Sequence, residues 1–188
     1  MSYDLYCYKS KIGKPDEDEA SSIIEADDDK WAKKEKNPAG KLAIVKALLA
    51  HNPRLEAFDF DYGEIAKLTA TTIEQAKNQF DHIELNPPEG DLAIQTIVYD
   101  NHVVFSVPYW YQGQKAGELF DNLRAYIKII RDTAGYFVYD PQTGNVFDPA
   151  ENEFDGLNKY LSVSENLDEL VNPDNAVRKN KKPWWKFW

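Results

Sequence analysis

The chain has 188 residues, of which 43% are hydrophobic and 29% are charged, a composition typical of a soluble globular protein. A chain of this length suits one domain, whose core buries about 70% of the surface that the unfolded chain exposes. The formal net charge of −10 argues against nucleic acid as a partner, because phosphate neutralisation requires clustered lysine and arginine.

The N-terminal stretch alternates Tyr3, Leu5 and Cys7 with polar or mixed positions, which predicts a strand over residues 2–9. Cys7 falls on the apolar side, so we expect a buried, unreactive thiol. Since it is the single cysteine, no internal disulfide can form. The N-terminus lacks the pattern of a signal peptide, and no apolar run approaches the ~18–20 residues of a membrane span. We therefore expect a cytoplasmic protein.

Two helices are predicted in the first quarter of the chain. Residues 15–30 begin with acids that suit the first turn of a helix, and few apolar positions follow, which indicates a surface helix. Asn37-Pro38 then supplies an N-cap and a first-turn proline for a helix over residues 38–50. Its predicted buried arc consists of Leu42, Ile44, Val45, Leu48 and Leu49.

Residues 55–62 alternate aromatic side chains with Asp59 and Asp61, which predicts a short strand with an acidic face. A weak helical pattern covers residues 69–79. A further strand begins at His82 and stops at Asn86-Pro87.

A β-hairpin over residues 93–111 is predicted to be the centre of the fold. With Asp100-Asn101 as its two-residue turn, Val98 faces Val103, Thr96 faces Phe105 and Ile94 faces Val107. These six side chains share one face, since side chains alternate along a strand and a slip of one residue would exchange the faces.

The second half of the chain predicts a helix, a hairpin and two short helices. Residues 116–133 carry the clearest amphipathic stripe, closed by Gly135 as a C-cap. A hairpin over residues 136–148 turns at Pro141-Gln142-Thr143-Gly144, and residues 151–171 hold two short helical patterns.

No signature of catalysis or of metal binding is visible. His51, His82 and His102 lack the spacing of metal ligands and have no cysteine cluster beside them, so we expect surface or turn histidines and no metal or cofactor. Carboxylates are so abundant that their number alone cannot identify an acid/base pair.

Two aromatic segments are the candidate binding features. Tyr109, Trp110 and Tyr111 stand consecutively at the end of the central hairpin and cannot all be buried on one face of a strand. At least one ring should therefore be exposed or should cover the other face of the sheet. Asp59 and Asp61 are the acidic candidates for the same partner-binding role.

The second segment is the C-terminal tail, residues 178–188, which holds five basic residues and no acid. Residues 1–177, the predicted single domain, then hold 17 basic and 32 acidic residues, a net charge of −15. The tail suits a membrane interface, although anionic lipid would repel so acidic a body. We favour docking on the protein's own body or on another subunit, as in a homodimer. The proposed docking residues are Trp184, Trp185, Phe187 and Trp188.

Three segments, residues 1–6, 107–111 and 139–144, resemble those of small uncharacterised bacterial proteins that open with Met-Ser-Tyr-Asp and carry a late Tyr-Asp-Pro-Gln-Thr-Gly turn. Some proteins of that kind resemble immunity proteins, which neutralise a neighbouring toxin. The resemblance implies such a role for this chain and brings no catalytic residue with it.

The predicted fold is α+β, an antiparallel sheet with helices 38–50 and 116–133 packed on one face. The favoured function is non-enzymatic binding of a basic protein in the cytoplasm, with an immunity-type role as its specific form, because acids steer a cationic partner and rings anchor it. The alternatives are a peripheral membrane or assembly protein acting through the tail, and an unrecognised hydrolase with paired carboxylates in a deep pocket.

Overall fold

The computed structural model describes residues 2–28, 36–151 and 154–171, and for residues 27–28 and 167–171 it describes the backbone alone. In these ranges the chain forms an α+β fold. Its elements are β1 (Ser2–Tyr8), α1 (Glu17–Asp28), α2 (Pro38–His51), β2 (Glu56–Ala57), α3 (Tyr62–Leu68), α4 (Ile73–Gln79), β3 (Ile83–Asn86), β4 (Gln95–Val98), β5 (His102–Pro108), α5 (Gly113–Ala134), β6 (Phe137–Asp140), β7 (Asn145–Phe147) and α6 (Leu157–Val171).

The predicted hairpin lies at the centre of a sheet with the strand order β2-β3-β4-β5-β1-β6-β7, and every neighbouring pair of strands is antiparallel. Thr96 pairs with Phe105 and Val98 with Val103, as predicted. The backbone N–H of Tyr99 donates to the carbonyl of His102 at 2.9 Å and so closes the turn at Asp100-Asn101. The register predicted from side-chain alternation is confirmed.

Helices α2 and α5 pack on what we call the first face of the sheet, as predicted. Side chains of both helices share one core with the inward side chains of β1, β4 and β5. Cys7 belongs to this core, and burial raises the pKa of its thiol well above the ordinary value, because burial disfavours the thiolate.

The buried stripe of α2 differs from the prediction at Lys41 and Leu42. Leu42 is 58% exposed, whereas Lys41 is only 7% exposed. Lys41 stands three, four and seven residues before Ile44, Val45 and Leu48, which are all buried, so it occupies the core stripe of the helix. Leu42 points about 100° away from that stripe, which explains its exposure.

The strand predicted over residues 55–62 is much shorter in the structure. Only Glu56–Ala57 pairs with β3. Asp61 instead caps helix α3, because its carboxylate accepts a hydrogen bond from the backbone N–H of Glu64 at 3.0 Å. An aspartate at this position satisfies a free N–H of the first helical turn, and this local bond competes with strand pairing.

Residues 151–171 also differ from the prediction of two short helical patterns. In their described part they form one helix, which begins at Leu157.

The turn at residues 141–144 is organised by the side chain of Asp140. Its carboxylate accepts hydrogen bonds from the N–H of Gln142 and the hydroxyl of Thr143, each at 3.0 Å. The buried hydroxyl of Tyr3 donates to the same carboxylate at 2.5 Å. Burial, reinforced by this bond to an anion, raises the pKa of Tyr3 far above its usual value. The Tyr-Asp-Pro-Gln-Thr-Gly segment thus ties β6 to β1.

Helix α1 lies on the opposite face, which we call the second face. Ala20 and Ile23 pack against Tyr8 and Phe137 at one end of it. The neighbouring outward positions of β1, β3, β4 and β5 are half-buried by the described residues, except for His102, which is buried. This part of the second face leads to the aromatic end of the hairpin.

Candidate interaction surface

The segment Tyr109-Trp110-Tyr111 forms an arch that leaves the end of β5 and is anchored on both sides of Trp110. On one side, Tyr109 is buried and its ring stacks on the ring of Tyr160 with centroids 5.1 Å apart. The hydroxyl of Ser164 in α6 also donates to the carbonyl of Tyr109 at 2.6 Å. Helix α6 therefore holds the first half of the arch.

The hydroxyl of Tyr160 holds both ends of the arch at once. It donates to the carbonyl of Pro108 at 2.6 Å and accepts from the backbone N–H of Tyr111 at 3.1 Å. Burial raises the pKa of Tyr160 to about 12, so the hydroxyl keeps the proton that it donates at neutral pH. The side chain of Tyr111 is fixed separately, because its hydroxyl accepts from the N–H of Ala93 at 2.8 Å.

Trp110 is the exposed ring of the arch, with 71% of its surface accessible. The prediction that at least one of the three rings is exposed is thereby confirmed. Trp110 forms one wall of a depression of about 480 Å³, which we call the Trp110 depression. Its other lining residues are Ser2, Asn86, Pro87, Ala93, Gln95, Ser106 and Pro108.

The floor of the Trp110 depression is polar and belongs to the second face of the sheet. Gln95 and Ser106 are paired across β4 and β5, and Asp4 of β1 is the next residue in the same row. The hydroxyls of Ser106 and Ser2 donate to the two carboxylate oxygens of Asp4 at 2.7 and 3.2 Å. These bonds fix the position of a half-buried carboxylate beside the depression.

A second carboxylate flanks the floor on its other side. The amide of Gln95 donates to one oxygen of Glu84 at 3.3 Å, and a ring nitrogen of His82 lies 3.2 Å from the other oxygen. In the described part of the chain no lysine or arginine forms an ion pair with Asp4 or Glu84. The surface beside Trp110 therefore carries negative charge that no strong base of the described protein neutralises.

Asp59 and Asp61 lie at the other end of the sheet. Both are exposed and flank Phe60, whose ring packs 5.1 Å from that of His82, just before β3 begins. From His82 to Asn86 the chain advances about 13 Å, at ~3.3 Å per residue. The structure therefore does not join the two acidic candidates to the aromatic arch in one patch.

An aromatic row that no clear pattern in the sequence indicated crosses the second face near the hairpin turn. Phe60, His82, Tyr99 and His102 contact one another in that order, and the last two stack at 4.3 Å. His102 is buried, contrary to the expectation of a surface or turn histidine. The signal for it was weak, because the outward positions of the hairpin mix Tyr99 and other apolar residues with polar ones such as Gln95 and His102.

The predicted docking residues of the tail, Trp184, Trp185, Phe187 and Trp188, lie outside the described residues, so tail docking and a tail-mediated homodimer stay predictions. Among the described residues, no group of three or more His, Cys, Asp or Glu side chains is placed to hold a metal ion. Within the same ranges, no helix combines the length and the apolar character needed to cross a membrane.

Comparison with known proteins does not add to this description. No family model, no curated protein and no solved structure matches the chain.

Proposed function

We propose that this protein is a non-enzymatic binding protein that holds a basic protein partner in the Trp110 depression. The observation that carries the proposal is an indole ring displayed to solvent from a backbone that is hydrogen-bonded on both sides. Tryptophan is enriched among the residues that dominate binding energy at protein interfaces. Because the arch is already ordered, little conformational entropy is lost when a partner contacts the ring.

Charge supports the basic character of the partner. Asp4 and Glu84 flank the floor of the depression, and the chain as a whole carries a net charge of −10. A lysine or arginine of the partner would contact both a carboxylate and the face of an indole ring, and each of these attracts a cation. The long-range field of the acidic body would also speed the encounter with a basic protein.

The finer form of the proposal is an immunity-type role in the bacterial cytoplasm, in which the bound partner is a basic toxin. This part is supported by the sequence resemblance and by the charge argument alone.

The hydrolase alternative has weaker support. A cavity beside α5 is lined by Asp91 and Glu118, but Asp91 is ion-paired with Arg54 at 3.0 Å and Glu118 accepts from Gln114 at 2.8 Å.

The proposal is tested by capture from a lysate of the natural host with the full chain as bait, followed by mass spectrometry. We expect a basic protein that is captured by the wild type and released by added salt, since screening weakens exposed charge pairs. Trp110→Ala should lose at least nine-tenths of the capture. Leu42→Ala is the matched control, because Leu42 is an exposed apolar residue outside the depression, and it should retain the capture.

The proposal fails if Trp110→Ala and Leu42→Ala capture the same proteins in the same amounts. It also fails if the captured protein is acidic or if its retention is independent of salt. Asp4→Asn separates the charge argument from the ring, because it retains the shape of the side chain while removing one flanking charge. We expect this variant to weaken binding and to reduce its salt dependence.

A further inference from the structure

A second cavity lies beside the first face of the sheet, and Pro87 is the one residue that its lining shares with the Trp110 depression. The second cavity has a volume of about 330 Å³. Its walls are the residues that follow α2, the loop between β3 and β4, Tyr111, and residues 115–126 of α5. Pro87 therefore stands between the two concavities. The floor is apolar and consists of Leu55, Leu92 and Ile94, all residues of the main core or packed against it.

Two tyrosine hydroxyls in the wall are set as hydrogen-bond donors. The hydroxyl of Tyr126 accepts from the side-chain amide of Asn52 at 2.9 Å, and the hydroxyl of Tyr111 accepts from the N–H of Ala93 at 2.8 Å. Each hydroxyl uses a lone pair in that bond and keeps its proton for another acceptor. No acceptor for either proton occurs among the described side chains and backbone groups.

Tyr126 is rigidly placed. It is 2% exposed, and its ring stacks on that of Phe105 in the core with centroids 6.1 Å apart. A buried phenol beside a cavity, bonded only as an acceptor, resembles the few fixed polar groups that orient a ligand in an otherwise apolar pocket.

The charged residues of the rim leave one unpaired cation. Lys115 lines the cavity and forms no ion pair with any described residue. The two carboxylates of the rim each have a partner outside the cavity lining: Asp91 pairs with Arg54, and one oxygen of Glu118 accepts from Gln114, a neutral amide that leaves the charge of Glu118 in place. The hydrogen-bond donors left for a ligand are therefore an ammonium and two phenolic protons, all of which suit an anionic oxygen.

We propose that this cavity binds a small organic carboxylate with a short apolar substituent. The carboxylate accepts from Tyr111 and Tyr126 and faces Lys115, while the apolar group lies on Leu55 and Ile94. A free acid and the carboxyl terminus of a peptide offer the same chemistry. This inference is independent of the proposed protein-binding function, since it uses a different cavity.

The test is a titration of the ¹⁵N-labelled full chain, followed by amide chemical shifts. We expect 4-methylpentanoate to cause saturable shifts at Ala93, Tyr111 and Asn122, and 4-methylpentanamide, which lacks the charge, to bind at least tenfold more weakly. Equal binding of the two compounds, or saturable shifts from neither, overturns the proposal. Titration with N-acetyl-alanyl-leucine distinguishes a free acid from a peptide carboxyl terminus as the source of the bound carboxylate. If this peptide also binds, the ligand is a peptide carboxyl terminus; if it does not, the ligand is a free acid.

Two variants identify the donors. Lys115→Met and Tyr126→Phe should each raise the Kd of 4-methylpentanoate at least fivefold. Lys128→Met is the matched control, because Lys128 lies on the same helix, pairs with Asp132 at 3.6 Å and is not part of the cavity. An unchanged Kd in both Lys115→Met and Tyr126→Phe would show that the acid binds elsewhere and would remove the proposal.

Discussion

The ammonium group of Lys41 lies 3.3 Å from the carboxylate of Asp100, and both side chains are buried. Asp100 stands in the turn of the central hairpin, and its carboxylate also accepts from the N–H of Asn37 at the start of α2 at 3.0 Å. Lys41 donates in addition to the carbonyl of Asp81 at 2.7 Å. The pair therefore links the hairpin turn, helix α2 and the segment before β3.

Lys41→Met should lower the free energy of unfolding by about 3 kcal/mol, because the change leaves Asp100 buried without its nearest cation. Urea denaturation measures the effect. Lys46→Met, an exposed position on the same helix, should change stability by less than about 0.5 kcal/mol. The double variant Lys41→Met/Asp100→Asn should be more stable than Lys41→Met alone. If it is equally unstable, packing rather than the unpaired charge causes the loss.

Thr96→Val should raise the free energy of unfolding by about 1 kcal/mol. The hydroxyl of Thr96 is buried in the core and has no hydrogen-bond partner among the described residues, and valine keeps the β-branched shape while removing the unsatisfied group. Thermal or urea unfolding tests it. Thr143→Val, which removes a bond to Asp140, should destabilise the protein instead. A destabilised Thr96→Val would mean that the hydroxyl has an acceptor.

Stability should depend on the ionisation of Asp148 in the acid range. Its two oxygens accept from Arg131 at 2.6 and 2.7 Å, which holds the pKa of this carboxyl below its usual value of 3.8. A lowered pKa in the folded state stabilises the protein above the unfolded pKa, and this stabilisation is lost as the pH falls through the folded pKa. Denaturation curves of the wild type and Asp148→Asn should therefore differ by a constant amount from pH 7 to 5 and converge below about pH 4. A difference that is independent of pH would contradict this assignment.

The arch should depend on Tyr160 and not on Trp110 for its stability. Tyr160→Phe removes the hydroxyl that bonds Pro108 and Tyr111 and should cost about 2 kcal/mol of unfolding free energy, at roughly 1 kcal/mol per hydrogen bond. Trp110→Ala should change it by less than about 0.5 kcal/mol, since an exposed side chain contributes little to folding. Equal losses in the two variants would show that Trp110 is part of the core, and would weaken its assignment to binding.

Removal of residues 178–188 tests whether the basic aromatic tail joins two subunits. The deletion removes five positive charges and leaves a body of net charge −15. If the tail of one chain docks on another, light scattering after gel filtration should show a dimer for the full chain and a monomer for the truncated one. An unchanged mass excludes the homodimer formed through the tail.

Much of the fold followed from the sequence because short-range patterns determined it. The alternation of residues 94–107 determined which side chains of the hairpin face the core, since one slipped residue would expose all of them. The stripe of α5 and the glycine at its end likewise depend only on helical geometry. Proline and glycine at residues 141–144 specified a turn for the same local reason.

What only the tertiary structure decided depends on contacts between distant residues. Lys41 occupies a core position because Asp100, 59 residues later in the chain, supplies its counter-charge, and no pattern local to α2 can indicate that. Three consecutive rings had to point in different directions, but Tyr160 and Ser164 of α6 decided that Trp110 is the one exposed to solvent. The cavity beside Tyr126 has the same origin, because its walls come from segments that are up to 74 residues apart in the chain.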